Sequence, residues 1–83
     1  MDFRNKAILI ENDSQYRKLR ALIRKEGSGI SWSPSGSERV FPSYFTIVES
    51  GSERYCVAKS PSAVKTDCMF IVSLKQFAKE MKA

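Results

Sequence analysis

Histidine is absent from the chain. That removes the side chain most used for proton transfer near neutral pH, and with it any Ser-His or Cys-His nucleophilic pair. Cysteine is scarce, with only Cys56 and Cys68. Two isolated thiols cannot complete a tetrahedral shell without histidine, so no metal site is expected. Both lie in strand-like runs and read as small buried hydrophobes in a reducing compartment; spacing alone does not decide whether they pair. No apolar run approaches the roughly 20 residues needed to cross a bilayer. The opening residues lead into only four apolar positions, Ala7 to Ile10, too few for the core of a secretion signal. A cytoplasmic location and no membrane partner are the expectations.

Glycine and proline are also few, and no phosphate-binding loop is formed from them. Gly27-Ser28-Gly29 lacks the following Lys-Ser/Thr pair and comes after a helix rather than a strand, so it reads as a helix stop. The acidic residues are scattered, mostly beside Lys or Arg. No catalytic residue, cofactor or small-molecule substrate is expected, and the chain is read as a non-enzyme.

What is present is the composition of a globular protein, 42% hydrophobic and 28% charged. Residues 1–83 make a single domain, small enough to bury only about 60–65% of its unfolded surface. Lys6 to Glu11 is a β-branched apolar run that suits a central strand. Asn12-Asp13-Ser14 are helix-capping types, and Asn12 with Gln15 has the spacing of a capping box. Tyr16, Leu19, Leu22 and Ile23 then recur as one apolar stripe, which predicts a helix over about 13–26.

Ile30 and Trp32 alternate with serines and share one face of a strand. Ser33 to Gly36 is a predicted turn, and Phe41-Pro42 a bend. Tyr44 to Glu49 and Arg54 to Lys59 form a hairpin about Ser50-Gly51-Ser52. Ser60-Pro61-Ser62 ends it, 63–67 is a predicted loop, and Cys68 to Val72 a last strand, apolar on both faces. Ser73 with Gln76 is a second capping box. Leu74, Phe77, Ala78 and Met81 make the apolar side of a closing helix. The predicted order is β-α-β-β-β-β-α. This is α+β, a small antiparallel-rich sheet with two helices packed on one face. Ile8, Ile10, Leu19, Leu22, Phe70, Val72 and Phe77 should share its core.

Charge is the informative feature. The net charge is +5 and the pI near 9.5, which suits an anionic partner. Arg17, Lys18, Arg20, Arg24 and Lys25 all fall on the first helix. Arg17, Arg20 and Arg24 share a face at i, i+3, i+7, and guanidinium groups grip carboxylate and phosphate bidentately. The closing-helix lysines extend this surface if the two helices lie side by side. Trp32, the only tryptophan, has two readings: cover for the end of the core near the first helix, or an interface anchor. An RNA-binding sheet would need exposed aromatics, with Tyr44, Phe45 and Tyr55 as candidates.

The helix "SQYRKLRALIRKEG", its glycine-ended turn, the "I-x-W-S-x-S-G" stretch, the aromatic-proline step and the hairpin together resemble the small accessory proteins of tailed bacteriophages and prophages. The resemblance spans roughly residues 6–72. It implies a phage-encoded protein of the host cytoplasm that acts by binding, and so neutralises or redirects a host factor. The positive charge departs from the acidic inhibitors that mimic DNA. The expectation is a small non-enzymatic binding protein that engages an acidic surface of a host protein through Arg17, Lys18, Arg20, Arg24, Lys25 and Trp32, as an inhibitor of a host-defence factor or host enzyme. The alternative is a small basic nucleic-acid-binding protein.

Overall fold

The computed structural model of the chain describes residues 5–32 and 41–81. Along the chain run β1 (Lys6–Ile10), α1 (Asp13–Arg24), β2 (Ser31–Trp32), β3 (Ser43–Ser50), β4 (Glu53–Lys59), α2 (Pro61–Thr66), β5 (Phe70–Ser73) and α3 (Leu74–Met81). The strands form one sheet in the order β2-β4-β3-β1-β5. The α+β class and the central place of β1 agree with expectation. The turn expected at Ser33 to Gly36 lies outside the described residues.

The sheet is mixed, which corrects the antiparallel-rich expectation. β3 pairs antiparallel with both β1 and β4, whereas β5 is parallel to β1 and β2 is parallel to β4. Four strands therefore point one way, and β3 alone runs against them. Parallel neighbours need crossover connections rather than hairpins. From β1 to β2 the chain passes β3 and β4, carrying α1; from β4 to β5 it passes β3 and β1 in the opposite direction, carrying α2. Crossovers share one hand in nearly all proteins, so two that travel in opposite directions along a sheet fall on opposite faces.

Strand alternation confirms the two faces. Register places Ile8, Phe45, Ala58 and Val72 on one side, with Ile47, Cys56 and Trp32. Under α1 and α3 these join Ile10, Tyr16, Leu19, Ile23, Leu74 and Phe77 in one core. The other side carries Ala7, Leu9, Tyr44, Thr46 and Ile71. There α2 seats the buried Val64 beside Tyr44 and Ile71. Thr46 is the buried polar residue of that face, and its Oγ1 donates to the Lys6 carbonyl at 2.9 Å.

The helix α2 replaces the loop expected at 63–67. Its signal was present but brief. Ser60 is the N-cap, with the Ala63 amide donating to its Oγ at 3.2 Å, and Pro61 takes the first helical position where its missing N–H costs nothing. Six residues are too few to display an apolar period. β5 needs a second correction. Its one strand neighbour is β1, so both of its faces lack cover on the far side. Phe70 is 70% exposed and Ile71 55%, and Phe70 leaves the expected core. Leu22 and Val72 are only half-buried against that core.

Local hydrogen bonds explain where α1 begins and stops. The Gln15 amide donates to Asn12 Oδ1 at 2.9 Å, and Gln15 Oε1 accepts from the Glu11 amide at 2.8 Å. The box thus reaches one residue further back than the usual N-cap amide. At the other end the helix stops at Arg24, two residues before expectation. A turn follows, closed by the Ser28 amide on the Lys25 carbonyl. Gly27 sits at its third position with φ +88°, a value that favours glycine there. Ser28 Oγ donates to the Ile23 carbonyl at 2.6 Å and so satisfies one open end of the helix. Asn12→Ala is expected to cost about 1 kcal/mol of stability. A urea midpoint equal to that of the unsubstituted chain would show that the cap contributes nothing.

Candidate functional site

The polar side of α1 is the most strongly charged surface among the described elements. Tyr16, Leu19 and Ile23 are buried, which turns Arg17, Lys18, Arg20, Arg24 and Lys25 outward; all five are exposed. At about 100° per residue the cations divide into two stripes. Arg17, Arg20 and Arg24 form one, and Lys18 with Lys25, the C-cap just past the end of α1, forms the other, roughly a third of a turn further round. Their clustering on one helix suggests a single surface; the structure separates their surroundings.

The arginine stripe lies on the flank of α1 toward β2. Arg17 is engaged within the helix, its Nε 2.8 Å from Asp13 Oδ2. Such exposed i,i+4 pairs contribute about 0.3–0.5 kcal/mol, so the guanidinium exchanges partners readily. Among the described residues Arg20 and Arg24 form no ion pair. They sit one turn apart, so two forked cations are presented in line.

The lysine stripe faces α3. Both helices start at the carboxyl ends of neighbouring parallel strands, β1 and β5, and therefore run side by side in the same direction. Ser73 sets the start of α3 by accepting the Gln76 amide at 3.1 Å. Between the helices runs a groove of about 680 Å³, with Leu22, Leu74 and Ala78 as its apolar lining, Lys18, Lys25 and Lys75 along its sides and the exposed Ala21 at its outer edge. One closing-helix lysine thus does extend the basic surface. Ala78 belongs to the apolar side expected of the closing helix, but a small residue on a helix signals a groove only once its neighbour is known.

Trp32 belongs to an aromatic cluster at the end of the core. Its ring stacks on Phe45 at 5.8 Å and meets Tyr16 edge-on at 5.6 Å, while Tyr16 also meets Phe41 at 6.2 Å. The indole is half-buried, so the structure places it as a cover for the core beside α1, with part of its surface still accessible.

The aromatic platform considered for RNA is not assembled. Phe45 is in the core, on the face opposite Tyr44 and Tyr55. Tyr44 lies beside α2. The Tyr55 hydroxyl donates to Glu53 Oε2, and that bond raises the phenol's pKa. This part of the sheet therefore presents a carboxylate where an RNA-binding surface needs a cation.

The two cysteines differ in environment, which corrects the expectation that both are buried. Cys56 is fully buried in β4, and burial pushes its thiol up to about 12, so it stays protonated and unreactive near neutral pH. Cys68 is exposed in the turn before β5, at φ +51°. Both are free. Among the described residues no group of three or more His, Cys, Asp or Glu side chains is placed to hold a metal ion, and no helix is long and apolar enough to cross a membrane.

Comparison with known proteins finds no matching family model, no matching curated protein and no matching solved structure.

Proposed function

We propose that this chain is a small non-enzymatic binding protein of the phage accessory kind, which engages an acidic surface of a host protein through α1 and so inhibits a host-defence factor or host enzyme. The observation that carries this reading is the pair Arg20 and Arg24. They are exposed one turn apart and form no ion pair among the described residues. Cations left unneutralised break no internal ion pair when a carboxylate surface docks on them, and guanidinium favours bidentate contact. Arg17 joins them by exchanging its exposed bond to Asp13 for a bond to the partner.

The test is capture of partners from bacterial lysate, with and without nuclease, by the unsubstituted chain and by Arg20→Glu/Arg24→Glu. The double reversal should change stability by no more than about 0.5 kcal/mol, because both side chains are exposed. It should weaken partner binding by about 2–5 kcal/mol if the pairs become buried on association. A nuclease-resistant protein whose capture is lost with the reversal is the expected result. Binding that disappears with nuclease, and whose affinity falls steeply with salt, assigns the surface to nucleic acid instead. Equal capture by both proteins would mean that the arginine stripe is only a solvated face.

A further inference from the structure

The groove between α1 and α3 differs from the arginine stripe in a way that specifies what fills it. Its apolar lining comes from Leu22 of α1 and Leu74 and Ala78 of α3, with the exposed Ala21 outside the lysine stripe. Among the described residues its sides hold three lysines, Lys18, Lys25 and Lys75, and its lining no carboxylate. Among the described residues none of the three lysines forms an ion pair. Charge of one sign around an apolar floor calls for the complement: an apolar ridge flanked by acids.

The shape narrows the choice further. Two helices lying side by side leave a furrow between them, and a third helix nests in such a furrow at an axial separation of about 8–10 Å. Close approach needs small side chains on the facing surfaces, and α3 supplies one in Ala78. From Lys18 to Lys25 the furrow runs along about two turns, roughly 10 Å of helix. Small-molecule sites carry polar groups inside the cavity to orient the ligand, whereas here the polar lining is confined to Gln15 and the three lysines, with the floor bare of donors. Nucleic acid would meet aliphatic groups where its bases need aromatic faces to stack on.

We propose that this furrow docks an amphipathic helical segment of the protein partner, with its apolar stripe on Leu22, Leu74 and Ala78 and its flanking Asp or Glu residues on Lys18, Lys25 and Lys75. The proposal rests on the reading of an acidic protein partner and names the element that partner contributes. The lysine stems pack along the apolar stripe while their ammonium groups reach the flanking acids. Recognition is then of the helix-in-groove kind, with anchors at i, i+3 or i+4, and i+7.

The experiment uses a fluorescein-labelled synthetic peptide of about two to three helical turns, with leucines at that spacing and glutamates on both flanks. Fluorescence anisotropy follows its binding to the full chain. The peptide should bind saturably, and a scrambled peptide of the same composition at least tenfold more weakly. Filling the floor with uncharged bulk, as Ala78→Gln, should lower affinity at least tenfold. Lys18→Gln/Lys25→Gln/Lys75→Gln should do the same and flatten the salt dependence. Circular dichroism and urea midpoints identify any variant that has not folded, and the lysine set, lying wholly at the rim, keeps the test open if the floor variant fails to fold. Arg20→Glu/Arg24→Glu should leave peptide affinity within about threefold, which separates the furrow from the arginine stripe. Equal binding of ordered and scrambled peptides, or no effect of the floor and rim variants, would overturn the proposal. So would a furrow occupied by a fatty acid but not by the peptide, or one closed by a second copy of the chain in sedimentation. If the arginine reversal abolishes capture from lysate while floor and rim variants capture normally, the acidic partner stands and the helical docking mode falls.

Discussion

Phe45→Ala should lower the free energy of unfolding by about 3–5 kcal/mol. Phe45 is 1% exposed near the middle of the sheet. Its ring lies 5.8 Å from Tyr16 and stacks at 5.8 Å on Trp32. Truncation removes the buried ring, leaves a cavity against α1, and cancels two aromatic pairs that contribute about 0.5–1.5 kcal/mol each beyond their area. A domain of this size has a total stability of only about 5–10 kcal/mol, so the variant should be measurably unfolded at 37 °C. Urea denaturation gives the magnitude. The single tryptophan gives an independent readout, because Trp32 loses its stacking partner and its emission should shift to the red before global unfolding. Phe45→Leu fills most of the space and should cost less than half as much. A loss below about 1 kcal/mol for the alanine variant would contradict the central position of this ring.

Cys56 should make the protein sensitive to alkali. The thiol is neutral when protonated, and burial raises its folded pKa to about 12, from an ordinary value of 9.0. The folded state therefore holds its proton over a range where the unfolded state releases it. Stability from this group is fully present below about pH 9 and is lost as pH rises toward 12, by roughly 1 kcal/mol per pH unit. Lysines and tyrosines titrate over the same range, so the comparison must be with Cys56→Ala, in which their contributions cancel. At neutral pH that variant should be less stable by about 1 kcal/mol through lost packing. By pH 10–11 the two should have converged, since only the unsubstituted chain loses stability through the thiol. Parallel stability profiles between pH 9 and 11 would show that the Cys56 side chain is not buried as described.

The legible part of this fold is the part written in short-range bonds. Asn12 with Gln15, and Ser73 with Gln76, mark two helix starts because a capping hydrogen bond closes over three residues and so needs nothing from the rest of the chain. The apolar stripe of α1 is visible for the same reason, as is the hairpin of β3 and β4 about Gly51, whose φ of +63° suits the tight turns that join adjacent strands. Ser60-Pro61 belongs to this class as well. Its capping signal is local and readable, but the helix it starts is too short to display an apolar period.

The four cations of α1, its C-cap Lys25 and the shared face of Arg17, Arg20 and Arg24 are visible from composition and helical spacing. Which of them faces α3 depends on the direction in which the helix turns its apolar stripe and on what lies beside it. Ala78 reads as part of an apolar helix side and becomes groove lining only through its juxtaposition with Leu22.

Residue pattern alone determined the strong helices, most of the strands, the α+β class and an excess of positive charge gathered on one helix. Tertiary structure decided strand order and direction, the exposure of Phe70 and Ile71 at a sheet edge, the burial of Cys56 against the exposure of Cys68, and the furrow between α1 and α3. The physical reason is range. Capping and periodicity are satisfied within a few residues, whereas an apolar strand such as β5 pairs equally well in several places. The choice among them follows from how two crossovers pass the same sheet in opposite directions and leave their helices on opposite faces.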